Sequence, residues 1–158
     1  MTEAGISDEI KALIGQMTEP MIMEVERGSI RRFAEAIDDP NPLYRDVGYA
    51  QNSRYGEMIC PVGFFGWPIK GNPLETMMGM LMPAMLKAGL FRILDGGVDY
   101  EYYLPIRAGD TLTSYAKIAD IRQREGKSGT MLFLILEQTY LNQHGDKVAV
   151  TRGTIIAR

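Results

Sequence analysis

The C-terminal part of the chain constrains the fold most, because it is a series of strand-like runs separated by short turns. The runs are rich in β-branched and aromatic residues, and the segments between them contain Gly, Asp and Asn. A shorter run of the same kind, Met21–Glu26, adds a fifth predicted strand near the N-terminus. The four C-terminal runs are Val98–Ile106, Leu112–Arg122, Met131–Leu141 and Lys147–Ala157, and the turns are Arg107–Asp110, Glu125–Gly129 and Asn142–Asp146.

Helical patterns precede these four strands. Helices followed by a run of strands favour an α+β fold, in which an antiparallel five-stranded sheet wraps around a central helix. At 158 residues the chain is the size of one domain, so we expect one domain over residues 1–158, with residues 1–19 as an N-terminal helical extension. The predicted helices run from a Ser7 cap to about Met17, over Ile30–Ile37 with Ser29 as the cap, and over Leu74–Leu94.

Composition and charge exclude several classes of function. The net charge is −3 and the acidic excess is spread along the chain, so we expect no nucleic-acid face and no membrane partner. No stretch approaches the ~20 apolar residues that span a bilayer. Met1–Gly5 lacks the pattern of a signal peptide, and Cys60 is the single cysteine, so we expect a cytoplasmic protein. With one cysteine and one histidine, His144, we expect no metal site and no bound cofactor.

Two separate motifs indicate a family. The first is Asp39-Pro-Asn41-Pro-Leu-Tyr44, which follows the second predicted helix, and the second is Tyr103-Leu-Pro-Ile-Arg-Ala-Gly-Asp110. With these motifs the chain resembles, from about residue 20 to 158, the MaoC-like hydratase/dehydratase family of hot-dog proteins. It is most similar to the N-terminal-type, FAS1-like dehydratase branch, which includes the non-catalytic HadA-type subunit of mycobacterial (3R)-hydroxyacyl-ACP dehydratases. The resemblance implies a hot-dog fold, acyl-CoA or acyl-ACP as the substrate, and a homodimer or a heterodimer with a catalytic MaoC-like subunit.

The resemblance also implies a catalytic loop, and this chain departs from it at one position. In the family, an Asp and a His five positions apart flank the substrate and move protons to and from a water molecule. Asp39 matches the Asp, Asn41 the neighbouring Asn, and Tyr44 stands where the His would be. A tyrosine with a pKa near ~10 donates a proton but is a poor base at neutral pH, so we expect a catalytically degenerate loop. Alternatively, Asp39 and Asn41 only cap the turn after the second helix.

Substrate-binding residues are predicted in two further segments. In hot-dog thioester enzymes, backbone N–H groups near the central helix polarise the thioester carbonyl, which makes Gly63 a candidate donor and Phe64 its neighbour. The methionines of the predicted central helix, among them Met78 and Met82, would line an acyl-chain tunnel. The alternatives are that Phe64, Phe65 and Trp67 fill the core, and that the methionine-rich helix is buried or faces a dimer partner.

Three functions follow from these patterns. The first is the acyl-chain-binding, catalytically degenerate subunit of an (R)-specific enoyl-thioester hydratase or 3-hydroxyacyl-thioester dehydratase. The second is an autonomous acyl-CoA thioesterase or hydratase that uses Asp39, and the third is a non-enzymatic acyl-thioester-binding protein or structural oligomer. Hydro-lyase chemistry by the lone chain is left open, because the position of the catalytic His is Tyr44.

Overall fold

The computed structural model describes residues 7–69, 71, 73–126 and 129–158. Residues 1–6 of the predicted N-terminal extension and positions 127 and 128 of the predicted second turn lie outside this range. Within it, six strands form one antiparallel sheet in the order β2-β1-β4-β5-β6-β3. The strands are β1 (Met21–Glu24), β2 (Trp67–Pro68), β3 (Ile93–Tyr102), β4 (Thr111–Gly126), β5 (Gly129–Leu141) and β6 (Lys147–Ala157).

The prediction of five strands is one too few. The sixth, β2, has only two residues and pairs antiparallel with β1 at the sheet edge. It contains a proline, which cannot donate to a strand ladder and is tolerated at an edge. A segment this short has no alternation of apolar and polar residues, so the sequence could not show it.

The central helix lies against the inner face of the sheet, as the predicted hot-dog architecture requires. Side chains that alternate along β4 and β5 turn inward, including Ile118, Leu132 and Leu134, which are almost fully buried. They pack against Met77 and Leu81 of helix α5, neither of which is exposed. The helices are α1 (Asp8–Lys11), α2 (Arg27–Ala36), α3 (Pro42–Arg45), α4 (Val47–Gln51) and α5 (Pro73–Lys87).

Helix α5 ends earlier than the predicted Leu94. Gly89 adopts φ +77°, and the N–H of Leu90 donates to the Met85 carbonyl at 3.0 Å. This is the common helix end that a glycine in the left-handed conformation forms. The residue after the glycine then packs over the last turn of the helix. The side chain of Leu90 is buried there, and strand β3 begins at Ile93. The prediction was wrong because residues 90–94 are apolar enough to continue a helical pattern.

The first two helices also differ from their predicted bounds. Ser7 caps α1 as predicted, since its Oγ accepts from the Ile10 N–H, but this helix is only one turn long. Helix α2 begins at Arg27, so Ser29 lies inside its first turn and is not the cap. The buried Ser29 hydroxyl instead donates to Glu26 at 3.2 Å. Ser29 is the residue type that favours the N-cap position, whereas Glu26, which occupies that position, makes no side-chain cap hydrogen bond.

A second apolar cluster lies at the other end of the sheet and packs under the loop that follows α2. It joins α2 to the loops that follow and to the adjacent strands through Ile30, Met58, Phe64, Leu112 and Val148. The loop after α2 therefore packs on this cluster, which fixes its position relative to β6. Among the described residues, no helix is long and apolar enough to cross a membrane.

Candidate functional site

The loop after α2 is built by side chains that bind its own backbone. Asp38 adopts φ +54°, and the Asp39 N–H donates to the Ala34 carbonyl at 2.8 Å, which closes the helix end. The Asp39 Oδ1 accepts from the Asn41 N–H at 2.9 Å, and the Asn41 Oδ1 accepts from the Leu43 N–H at 3.0 Å. Asn41 is thus the N-cap of α3. The capping geometry that we considered as an alternative is present at both predicted catalytic side chains.

Tyr44, the third predicted residue of the loop, borders a cavity of about 370 Å³ that we call the tyrosine cavity. Burial raises the pKa of Tyr44, and the charge of Asp39 raises it further. Burial also raises the pKa of the Cys60 thiol, which lines the same cavity. At neutral pH both groups therefore keep their protons, so neither is a base. Other tyrosines that line the cavity are Tyr55, Tyr102 and Tyr103.

Gly63, the predicted oxyanion donor, already has a hydrogen-bond acceptor. Its N–H donates to the Tyr102 Oη at 2.9 Å, and its φ of +87° lies in the left-handed region that favours glycine. A Cβ at Gly63 would meet the Tyr100 Oη at 3.5 Å, so both tyrosines of β3 lie against this turn. Burial raises the pKa of Tyr102, which keeps its phenol protonated. In this state the Gly63 N–H is not free to polarise a carbonyl.

The aromatic residues after Gly63 divide between core and surface. Phe64 is buried and stacks on Phe33 with a centroid distance of 5.0 Å. Phe65 is also buried and stacks on Tyr140 at 4.0 Å, whereas Trp67 is 56% exposed. Two of these three side chains therefore fill the second apolar cluster. The contribution of Phe64 to the site is therefore only to support the neighbouring turn at Gly63.

The methionines of α5 fall into two groups. Met77 and Met78 line a cavity of about 450 Å³ between α5 and strands β3, β5 and β6, which we call the sheet–helix cavity. Met82 packs against the core around α5 and is not part of the cavity wall. Of the two predicted methionines, Met78 therefore lines a cavity and Met82 does not.

Sequence reasoning missed two residues of this cavity, Gln138 and Thr151. They face each other across β5 and β6 on the inner face of the sheet. A signal was present, because inward positions of a predicted strand alternate strictly, and a polar residue at such a position is an exception. To use this signal, however, one must know which face of each strand points inward.

An ion pair fastens the loop before Gly63 to the start of α2. The Arg27 Nε donates to the Glu57 Oε1 at 3.1 Å, and the Arg27 Nη2 donates to the other carboxylate oxygen. These hydrogen bonds from Arg27, together with its charge and the Met58 N–H, hold the pKa of Glu57 below its ordinary value of 4.5. Arg27 is half exposed, so solvent screening reduces what the pair contributes.

We expect the replacement Glu57→Gln to lower the midpoint of thermal unfolding at pH 7 and to have a smaller effect as the pH falls below 4.5. The pKa of Glu57 is depressed in the folded state, so its contribution is present above 4.5 and is lost as the pH falls through the folded value. The glutamine keeps an oxygen for the Met58 N–H, so the comparison isolates the charge. Thermal unfolding across this pH range, with the exposed Glu35→Gln as the control, provides the measurement. An effect that is equal at pH 3 and pH 7 would contradict this account.

Among the described residues, no group of three or more His, Cys, Asp and Glu side chains is placed to hold a metal ion. His144 is exposed at the turn between β5 and β6, where its N–H donates to the Asn142 Oδ1 at 3.0 Å. It does not line the tyrosine cavity or the sheet–helix cavity. The site is therefore made of tyrosines, backbone amides and an apolar chamber.

Comparisons with known proteins agree with this fold. The family described as "FAS1-like, dehydratase domain region" matches residues 12–151. The "UPF0336 protein" of Thermobifida fusca (strain YX) is 32% identical over 139 residues, which cover 88% of this chain and 86% of that protein. The chain therefore belongs to the FAS1-like dehydratase family, whose fold is that of the MaoC-like hot-dog proteins.

Solved structures support the same fold. The ChsH1-ChsH2 complex from Mycobacterium tuberculosis contains a chain that superposes with a TM-score of 0.79 at 17% identity, over 96% of this chain and 89% of that one. The C-terminally truncated HadBC (3R-hydroxyacyl-ACP dehydratase) complex from the same organism gives 0.69 at 18% identity, over 96% and 99%. At this identity the likeness shows the hot-dog fold.

Proposed function

We propose that this chain is the acyl-chain-binding, catalytically degenerate subunit of a MaoC-like enoyl-thioester hydratase or 3-hydroxyacyl-thioester dehydratase. One observation carries the proposal: burial together with Asp39 holds the pKa of Tyr44 above the ordinary value, and Tyr44 is the residue that the sequence resemblance matches to the family's catalytic His. Hydration of a double bond needs a base that accepts a proton from water near neutral pH. A protonated phenol cannot perform that step.

Two hydrogen-bond arrangements support a non-catalytic role for the loop. Asp39 and Asn41 each accept a backbone N–H of the turn, at 2.9 and 3.0 Å. The Gly63 N–H donates to the Tyr102 hydroxyl, which leaves it occupied at the place where a thioester oxygen would need it. The polar groups of the loop thus bind one another.

A catalytic partner is the second part of the proposal, and strand β3 is the edge that we expect it to use. Each residue of β3 is exposed, and β3 pairs only with β6 within the described part of the chain. Apolar side chains on this edge include Leu94, Val98 and Tyr100, and a long apolar edge strand is a template for another strand. The two similar solved structures named above are both complexes, which supports a heterodimer with a related hot-dog subunit.

The ligand in this proposal is an acyl-CoA or an acyl-ACP. The sheet–helix cavity is large and mainly apolar, and Met77 and Met78 form its helical wall. Flexible, polarisable methionine side chains adapt to hydrocarbon chains of different shape. The β3 edge forms the opposite wall, so the partner would complete the chamber as it docks.

The decisive experiment is an assay of crotonyl-CoA hydration. The chain is purified alone and together with a MaoC-like protein that carries both the Asp and the His of the catalytic loop, and the loss of enoyl-thioester absorbance is followed. We expect negligible turnover from the lone chain and strong turnover from the complex. Strong activity of the lone chain that is lost on Asp39→Ala would overturn the degenerate role and favour an autonomous hydratase.

Two cheaper measurements separate the remaining alternatives. A thiol-release assay over a panel of acyl-CoA chain lengths tests for a thioesterase, and we expect no turnover. In a thermal-shift series with the same panel, we expect acyl-CoA to raise the melting temperature, because a ligand of the native state stabilises it by mass action. A melting temperature that does not change at any chain length would contradict acyl binding. The structural oligomer would then be the remaining alternative.

We expect Val98→Lys to shift the assembly toward free subunits. The lysine would place a charge in the middle of the unpaired β3 edge, where a docking strand would have to bury it. Analytical ultracentrifugation of this chain mixed with the catalytic partner measures the shift. Ile37→Lys adds the same charge at an exposed apolar position after α2 and serves as the control. An unchanged association for Val98→Lys would show that another surface holds the partner.

A further inference from the structure

A row of polar side chains crosses the inner face of the sheet between the two apolar clusters. Ser114 on β4 and Thr151 on β6 are buried, and Gln138 on β5 lies between these strands. In the strand register, Gln138 is opposite Thr151 on one side and opposite Ala116 on the other. Polar groups at inward positions are costly unless they have partners, and here Gln138 is bonded to Ser114 and Thr151 to Tyr140.

The polar row forms one end of the sheet–helix cavity. Gln138 and Thr151 border the cavity, and so do Leu136 and Ile155 further along the same two strands. Side chains two positions apart on a strand point to the same face, so along β5 and β6 this wall passes from Gln138 and Thr151 to Leu136 and Ile155. Asp95 and Thr154 border the cavity as well. The polar end is next to Tyr100, which pairs with Thr151 and lies beside the Gly63 turn.

Gln138 has hydrogen-bonding capacity that the protein does not use. Its Nε2 donates to the Ser114 Oγ at 3.0 Å, which fixes the orientation of the amide. Its Oε1 accepts no hydrogen bond from the described part of the chain. An amide oxygen has two acceptor sites and the nitrogen has a second proton, so the group can both accept and donate. The cavity wall therefore presents a fixed amide next to an apolar chamber.

We propose that the sheet–helix cavity takes an acyl chain that carries a hydroxyl group beyond the reacting carbons. The hydroxyl binds the Gln138 amide, and the hydrocarbon beyond it lies along Leu136 and Ile155. The proposal rests on the acyl-binding function proposed above and specifies its substrate class. A plain alkyl chain would remove water from the Gln138 amide without replacing its hydrogen bonds, whereas a hydroxyl both donates and accepts.

Binding measurements with matched ligands test this. Octanoyl-CoA and its 5-, 6-, 7- and 8-hydroxy derivatives are titrated against the full chain, in the assembly in which it purifies, and the dissociation constants are compared. We expect at least one hydroxylated ligand to bind about tenfold more tightly than octanoyl-CoA, which is the gain typical of one well-formed hydrogen bond. The preferred position of the hydroxyl reports the distance from the thioester to Gln138.

Two variants tie the preference to this amide. Gln138→Leu alone would leave the buried Ser114 hydroxyl without its partner, so it is made together with Ser114→Ala, which removes both polar groups. We expect this double variant to lose the preference for the hydroxyl and to keep its affinity for octanoyl-CoA. Gln51 is exposed, and Gln51→Leu controls for the general effect of replacing a glutamine with a leucine; it should behave as the wild type.

The outcomes separate this inference from the proposed function. If octanoyl-CoA binds and no hydroxylated ligand binds more tightly, the inference is wrong and the acyl-binding function stands. A hydroxyl preference that persists in the double variant also overturns the role of Gln138. If none of the five ligands binds, both the inference and the acyl-binding function fail.

Discussion

Replacing Gly66 with alanine is expected to lower the free energy of unfolding by about 3 kcal/mol, as the sum of a left-handed backbone penalty and a steric overlap. Gly66 adopts φ +87°, which is costly for a residue with a side chain. A Cβ at this position would lie 2.5 Å from the Glu24 carbonyl oxygen and 3.1 Å from a methyl group of Val25. The oxygen belongs to the backbone of β1, so it cannot rotate away. Either the strand shifts or the loop that carries Gly63 is displaced.

Chemical denaturation measures this effect, and Gly15→Ala is a matched control. Gly15 has nearly the same φ, +88°, but a Cβ there would meet nothing within 4 Å. We expect the control to lose only about 1 kcal/mol, the cost of the backbone conformation alone. The difference between the two variants is the steric part. If both variants lost the same free energy of unfolding, the loop around Gly66 would be able to move away from β1 at no cost. Its close approach to β1 would then not fix the position of the site.

The second large effect concerns the assembled enzyme of the proposed function. We expect replacement of the histidine in the partner's hydratase loop to lower kcat/KM for crotonyl-CoA by about 10²- to 10⁴-fold, the range that a positioned base contributes. We expect Asp39→Asn in this chain to leave kcat/KM within about twofold, because this loop supplies no base. Asparagine keeps the oxygen that accepts the Asn41 N–H, so the turn is preserved.

Steady-state kinetics of the two complexes provides the comparison, and Tyr44→Phe in this chain is the companion variant. It removes the phenol hydroxyl from the tyrosine cavity and retains the ring. We expect it to match Asp39→Asn. A loss of a hundredfold or more for either variant would show that this loop takes part in the chemistry, and the degenerate role would be wrong.

Much of the fold could be predicted from the sequence, because the signals that determine it are local. Alternating apolar residues placed β4, β5 and β6 within a few residues of their bounds. The errors occurred where two local signals competed or where none existed. Gly89 ends α5 although the following residues remain apolar, α2 begins ahead of Ser29, and β2 is too short to carry a pattern.

The candidate site was predictable in part. The loop from Asp39 to Tyr44 was found because its residues are contiguous, and the structure places Tyr44 at a cavity. The contact of Gly63 with Tyr102 joins residues 39 positions apart, and the Gln138–Thr151 pair joins two strands. The sequence does not indicate which distant side chain accepts the hydrogen bond of a given backbone N–H. The contact depends on where the folded loop places Gly63 against β3.

The sequence by itself determined the class of fold, the family and the loss of a histidine at position 44, because each depends on the identity and order of nearby residues. The tertiary structure decided which polar groups are free. It showed the Gly63 amide bound, Asp39 and Asn41 bound to the turn, and the Gln138 oxygen without a donor in the described part of the chain. The physical reason is that a hydrogen bond needs two groups within about 3 Å, and for distant residues only the folded chain sets that distance.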